Sequence, residues 1–256
     1  MTSIDVTNVT PKLIGFLRNW FNQFSEDSKA VIGISGGKDS TVAAALLVRA
    51  IGKERVVGVL MPNGIQSDIS DSMRVCDMLG IERVTVNILD PYKAFQKALK
   101  VSGVNRTEQQ IINLAPRIRM TTLYAVAQSF NVPAFVVNTC NRSEDYVGYS
   151  TKYGDAAGDI AVLQDFLVSD IRAIGDYLEL PADLVHKVPS DGLCGKTDED
   201  NLGFTYDDLD AYIIWKESEA KSETRCPISE DLVDLIEHKH RANLHKLRLM
   251  PSYMRP

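Results

Sequence analysis

The chain has 256 residues, 45% of them hydrophobic and 24% charged, with a formal net charge of −6. That size and composition suit one larger α/β domain with a buried core, and the acidic balance argues against a nucleic-acid binder, which usually shows a basic footprint. Cys76, Cys140, Cys194 and Cys226 are widely spaced with no CxxC pair, which argues against a zinc ribbon, an iron–sulfur cluster or a CxxC redox motif and fits reduced thiols in a cytosol.

The N-terminus, MTSIDVTNVT, has no basic region followed by an apolar run, and no stretch approaches the roughly 18–20 apolar residues of a membrane span. A soluble cytoplasmic protein is expected. Thr10 and Pro11 predict a helix start, followed by Leu13, Ile14, Leu17, Trp20, Phe21 and Phe24 on one face. A strand is expected at Ala30–Ile34, ending in Ser35-Gly36-Gly37, then a helix over Lys38–Ala50. Strands at Val56–Met61 and Val84–Leu89 flank a helix at Asp68–Leu79. The stretch from Pro91 to Phe130 is helical in pattern. Thr107 starts its second helix and Pro116 implies a kink or break. Ala134–Val137 reads as a fourth strand. Beyond it come a polar loop at Asn138–Gly158, a helical stretch at Val162–Leu178 and a short helical piece after Pro181. A polar, mobile segment is expected at Ser190–Gly203, a helix at Tyr206–Glu219, and a last helix with a basic tail from Ser229 to Pro256. This alternation predicts an α/β fold: a doubly wound, mainly parallel sheet with helices on both faces, in a single domain spanning 1–256.

Ser35-Gly36-Gly37-Lys38-Asp39-Ser40 falls between a strand and a helix. Two glycines let the main chain approach an anion, and the amides of the helix start point at it. The hydroxyls of Ser35 and Ser40 add donors. Asp39 would be repelled by bare phosphate, so its presence suggests a bridging Mg²⁺. The segment is neither GxxxxGK[ST] nor GxGxxG, so the usual phosphoryl-transfer loop and the dinucleotide fingerprint are both missing.

SGGKDS after a buried strand resembles the SGGxDS loop of the N-type ATP pyrophosphatases, whose fold is adenine nucleotide alpha hydrolase-like. The resemblance implies attack on the α-phosphate of ATP, an adenylylated substrate and loss of pyrophosphate. Further stretches resemble the ammonia-dependent NAD synthetases in the order those enzymes carry them. They are MPNGIQ at 61–66, NLAPRIRM at 113–120, Thr139 to Glu144, YSTKYGD at 149–155 with Asp159-Ile160, PSDGL at 189–193, TDEDNLGFTY at 197–206 with Asp210, and Glu237-His238-Lys239.

Carried over position by position, the resemblance implies that Gly33, Ile34, Ser35, Gly36, Gly37, Lys38, Asp39, Ser40, Gln66, Thr139 and Ser190 bind ATP. Asp39 and Glu144 would hold Mg²⁺. Arg117, Lys152, Asp159, His238 and Lys239 would bind deamido-NAD, and Asp155 would lie near the ammonia position. Lysine, arginine and Mg²⁺ offset the charge of joining a carboxylate to ATP, and a carboxylate such as Asp155 takes a proton as ammonia attacks. One position departs from the family: a lysine nine residues after the DI aspartate is Val168 here. Lys196 is the candidate catalytic replacement, with Lys38 behind it. The Asp198-Glu199-Asp200 run reads as a solvated face. SGGKDS begins at residue 35, which leaves no room for a glutamine amidase domain before it, so ammonia is the expected nitrogen source. The resembled family also implies a homodimer, with weak support from the apolar residues of Ile111–Phe130. Two alternatives stay open: another ATP pyrophosphatase, such as a tRNA-modifying enzyme, or a nucleotide sensor without turnover.

Overall fold

Asp5, not Thr10, starts the first helix. In the structure, a computed structural model that describes residues 4–66, 69–187, 197–219 and 224–254, α1 spans Val6–Asn22 and the Asp5 carboxylate accepts from the Thr7 amide at 3.1 Å. An aspartate one turn earlier outcompetes Thr10 as the cap. Pro11 then lies inside the helix, and Thr10 is buried. Leu17 and Phe21 are fully buried, and Trp20 meets Phe21, Phe24 and Phe135 edge-on at 5.0–5.1 Å.

The strands are β1 (Lys29–Gly33), β2 (Val56–Leu60), β3 (Glu82–Thr85), β4 (Ala134–Asn138) and β5 (Ile160–Ala161). They form one parallel sheet in the order β3-β2-β1-β4-β5. The three middle strands are continuous apolar runs, as strands covered on both faces must be. β3 is an edge strand and ends earlier than the expected Val84–Leu89. Asn87 turns the chain by accepting from the amides of Gly64 and Leu89, at 3.1 and 3.0 Å, and Leu89 opens the next helix. β5 is only two residues long and pairs with Val137 and Asn138.

Between the strands come α2 (Lys38–Ile51), α3 (Ile69–Leu79), α4 (Leu89–Val101) and α5 (Glu108–Ala127). Thr107 caps α5 as expected, accepting from the Gln110 amide at 3.2 Å. Pro116 does not break α5, which runs through it. The expected polar loop after β4 contains α6 (Arg142–Val147), capped by Asn141. Then follow α7 (Val168–Tyr177), α8 (Ala182–Val185), α9 (Asp198–Leu202), α10 (Tyr206–Glu217) and α11 (Glu230–Leu247). The last helix stops at Leu247, short of the expected end.

Apolar residues of α1, α2 and α7 form the main core on one face of the sheet. α5 covers β1 and β4 on the other through Leu123 and Ala127. A smaller apolar cluster joins α6, α7, α9, α10 and α11, and carries part of the site described next. Among the described residues, no helix is long and apolar enough to cross a membrane.

Candidate active site

The chain leaves β1 toward α2 on one side and leaves β4 in the opposite direction. That reversal opens a crevice beyond the carboxyl ends of adjacent parallel strands, where α/β folds bind ligands. A cavity of about 370 Å³ lies there. Gly33, Ile34, Ser35, Gly37, Lys38, Asp39 and Ser40 line it, together with Gln66 and Thr139. Every described residue expected to bind ATP therefore faces this cavity except Gly36, which makes the turn.

Gly36 has φ +78°, and a Cβ on it would fall 2.8 Å from both Asp71 Cβ and Ser72 N. Only glycine fits this conformation and this approach of α3. Gly37 is the N-cap of α2 and has no side chain to satisfy the helix amides, so they stay available to an anion. The turn is braced from within. Ser35 and Ser40 hydroxyls are 3.1 Å apart, and the Thr41 hydroxyl donates to Gly37 O at 2.7 Å.

Charged groups gather behind the loop. Lys38 is 3% exposed, its Nζ donates to Asp39 Oδ2 at 2.8 Å and it lies 5.4 Å from the centre of the Tyr206 ring. Asn141 Nδ2 donates to Asp39 Oδ1 at 3.1 Å. Glu144, Asp155 and Asp198 also line the cavity. Burial is the largest influence on Glu144, and together with the Asp39 carboxylate it raises the pKa well above the usual range, against the pull of Lys38. For Lys38, burial lowers the pKa, but Asp39 and Glu144 outweigh it and leave it raised. Asp155 accepts from the Thr151 amide at 2.9 Å. Asp155 is solvent-exposed at the cavity's edge, and desolvation by the surrounding protein, the largest influence, raises its pKa.

These residues suit Mg²⁺. The donors are hard carboxylate oxygens, and the Tyr206 hydroxyl, fully buried in the field of Glu144, Asp198 and Asp39, has no hydrogen-bond partner among the described residues. Among the described residues, no group of three or more His, Cys, Asp or Glu side chains is arranged to hold a metal alone. An ion between Asp39 and Glu144 thus needs phosphate oxygens or waters to complete its shell, the usual habit of Mg²⁺.

The residues expected to bind deamido-NAD lie elsewhere. Arg117 Nη2 donates to Lys152 O at 3.5 Å, and Lys152 Nζ donates to His245 O. Asp159 accepts from the Val136 amide at 2.7 Å and from the Tyr124 hydroxyl at 3.2 Å, beside a second cavity. His238 and Lys239 are on α11 and line neither cavity. Ser190 and Lys196 lie outside the described residues. Val168 is fully buried at the start of α7, in the same apolar cluster as Tyr206.

Several cavity residues carry no role in the sequence reading. Arg119 lines the cavity and donates from Nε to Met61 O at 3.2 Å; Lys187 lines it too, 2.6 Å from Asp71 Oδ2. Asp198 corrects the expectation of a solvated acidic run: it is 8% exposed and accepts from the Tyr149 hydroxyl at 3.4 Å. Thr197 caps α9 and turns this first aspartate inward, while Glu199 and Asp200 serve local bonds.

Comparison with known proteins gives a consistent result. The family model of NAD synthase matches residues 9–250. The NH(3)-dependent NAD(+) synthetase of Thermococcus sibiricus is 37% identical over 255 residues, covering 94% of this chain and 97% of that protein. Among solved structures, NMN synthetase from Francisella tularensis superposes with a TM-score of 0.85 at 31% identity, covering 98% of this chain and 99% of that one. The NH3-dependent NAD synthetase from Campylobacter jejuni, in complex with the nitrate ion, superposes with a TM-score of 0.78 at 28% identity, covering 98% and 100%.

Proposed function

This chain belongs to the NAD synthase family, and on that premise we propose that it is an ammonia-dependent ligase that converts deamido-NAD to NAD, splitting ATP into AMP and pyrophosphate. The observation that carries this reading is the shared cavity: the Ser35–Ser40 loop and Asp155 face one space about 370 Å³ in volume. The nicotinate carboxylate attacks the α-phosphorus of ATP, and pyrophosphate departs into the loop amides and the hydroxyls of Ser35 and Ser40. Mg²⁺ held by Asp39 and Glu144 would offset the charge on the phosphates when bound. Ammonia then attacks the acyl carbon, the bond to AMP breaks, and Asp155 takes the proton the new amide sheds. Burial raises the Asp155 pKa above the ordinary aspartate value, which makes its carboxylate a better proton acceptor for that step.

Arg117, Lys152, Asp159, His238 and Lys239 remain our candidates for holding deamido-NAD. Ser190 and Lys196 remain candidates at the phosphates. We also read residues 1–256 as one domain of a cytoplasmic enzyme. The likeness to the NMN synthetase of Francisella tularensis favours a second reading, in which the acceptor is nicotinate mononucleotide. Turnover with ATP, Mg²⁺ and ammonium, following pyrophosphate together with the amide product (NAD from deamido-NAD, nicotinamide mononucleotide from nicotinate mononucleotide), tests both. Equimolar products dependent on deamido-NAD support the first. A higher kcat/KM with nicotinate mononucleotide replaces it with the second, and pyrophosphate with neither acceptor refutes both.

A further inference from the structure

Lys38 is a cation on the cavity wall with two partners of unequal kind. Its Nζ bonds Asp39 Oδ2 at 2.8 Å and lies 5.4 Å from the centre of the Tyr206 ring. Asp39 is one of the two carboxylates suited to Mg²⁺, so the lysine occupies an oxygen that the ion needs. The ring is fully buried in the apolar cluster of α6, α7, α9, α10 and α11. Lys38 also opens α2, one residue past the Gly37 cap, beside the amides offered to an anion. The Tyr206 hydroxyl, buried near the same carboxylates, has no hydrogen-bond partner among the described residues.

We propose that Lys38 is a catalytic residue that changes partner. Without nucleotide it neutralises Asp39. When Mg²⁺ takes the Asp39 carboxylate, the ammonium, still held against the Tyr206 ring, turns to the phosphates of ATP and stays with the departing pyrophosphate. The exchange leaves neither Lys38 nor Asp39 as an unpaired buried charge in either state, since an unpaired buried charge is costly. The same cation serves as a metal surrogate before binding and as a phosphate ligand after it. It also supplies positive charge close to the cluster where Val168 contributes none.

This inference rests on the ATP-binding half of the proposed function, not on the acceptor, so it is tested with probes that contain no nicotinate. Mn²⁺ alone is titrated by electron paramagnetic resonance, and pyrophosphate with Mg²⁺ by calorimetry, against the whole chain. In Lys38→Met, Mn²⁺ binding should tighten about tenfold or more, because a competing charge has left, while pyrophosphate binding weakens by a similar factor. Lys38→Arg should stay near wild type on both. A folded Lys38→Met protein whose Mn²⁺ affinity is unchanged or weaker overturns the proposal, as does unaltered pyrophosphate binding. Should Lys38→Met fail to fold, Asp39→Asn decides. It should lose Mn²⁺ yet bind metal-free pyrophosphate more tightly than wild type, because its lysine is released. No gain in pyrophosphate affinity overturns the partner exchange.

Discussion

Asn141 Nδ2 donates to Asp39 Oδ1 at 3.1 Å, across 102 positions of sequence. The same side chain caps α6, its Oδ1 accepting from the Glu144 amide at 2.9 Å. One fully buried amide therefore ties together the two carboxylates proposed to hold Mg²⁺. Asn141→Ala should cost about 1–2 kcal/mol from the lost cap and raise the Mg²⁺ concentration needed for half-maximal activity. Asn141→Ser keeps a capping oxygen but loses the reach to Asp39. It should regain most of the stability in urea unfolding while leaving the Mg²⁺ requirement raised. Equal recovery of both would show that the link to Asp39 does nothing.

The local parts of this arrangement are legible in the sequence, and the distant ones are not. Two glycines and two serines between a β-branched run and an alanine-rich run announce the loop before α2, and the structure places it at the carboxyl end of β1. Asn141 falls in the Thr139 to Glu144 stretch that resembles the family, but its tie to Asp39 is not legible, because the partner is 102 positions away. Asp198 looks like one of three solvated acids, since a helix as short as α9 offers no period from which to choose an inward face. β5 has two residues, too few to show an alternation, so the fifth strand emerges only through pairing with β4. Thr10 and Pro11 mislead about the start of α1 because Asp5 supplies a cap earlier.

The loop geometry makes a sharp prediction at two glycines. Gly36→Ala forces a left-handed φ on alanine and drives its Cβ into α3, 2.8 Å from main chain. ATP and pyrophosphate binding should fall at least tenfold, with the thermal midpoint lowered. Gly148 ends α6 at φ +63°, where an added Cβ would lie 2.2 Å from Asn243 Cβ of α11. Gly148→Ala should cost about 2 kcal/mol or more in urea unfolding, and ordinary stability in this variant would contradict the close approach of α6 and α11.

Glu237 joins three helices. Its Oε1 accepts from Tyr146 at 2.7 Å, Tyr212 at 3.0 Å and Lys216 at 2.6 Å. Burial alone would raise its pKa, but these donors prevail and hold it at about 2, against 4.5 for an ordinary glutamate. The folded state therefore releases this proton more readily than the unfolded chain. The resulting stability is complete above pH 4.5 and is lost as pH falls toward about 2. It amounts to about 2–3 kcal/mol. Urea unfolding at several pH values should show Glu237→Gln less stable than wild type at pH 7, with the gap narrowing in acid. A gap constant with pH would contradict the ion pair as its source.

Some apolar side chains are left exposed on one side of the molecule. Phe95, Val101, Val104 and Ile112, in and between α4 and α5, are 45–80% exposed. We expect them to be covered in a homodimer with twice the 28.4 kDa mass of the chain. Sedimentation equilibrium should report that dimer, and Phe95→Glu with Ile112→Lys should shift it toward monomer. A wild-type protein that stays monomeric at micromolar concentration contradicts the expectation.

Asp155→Asn keeps an oxygen for the Thr151 amide but cannot take a proton. Its kcat/KM for ammonium should fall about 100-fold or more, with ATP binding within a few-fold of wild type. An equal fall in ATP affinity would assign Asp155 to the nucleotide instead.

The central claim is attack by a substrate carboxylate on the α-phosphorus of ATP, and isotope transfer tests it most directly. Deamido-NAD carrying ¹⁸O in both carboxylate oxygens is turned over with ATP, Mg²⁺ and ammonium, and the phosphorus products are analysed by mass spectrometry. One ¹⁸O per NAD formed should appear in AMP and none in pyrophosphate. Label in pyrophosphate or inorganic phosphate, or AMP without label, would contradict the account.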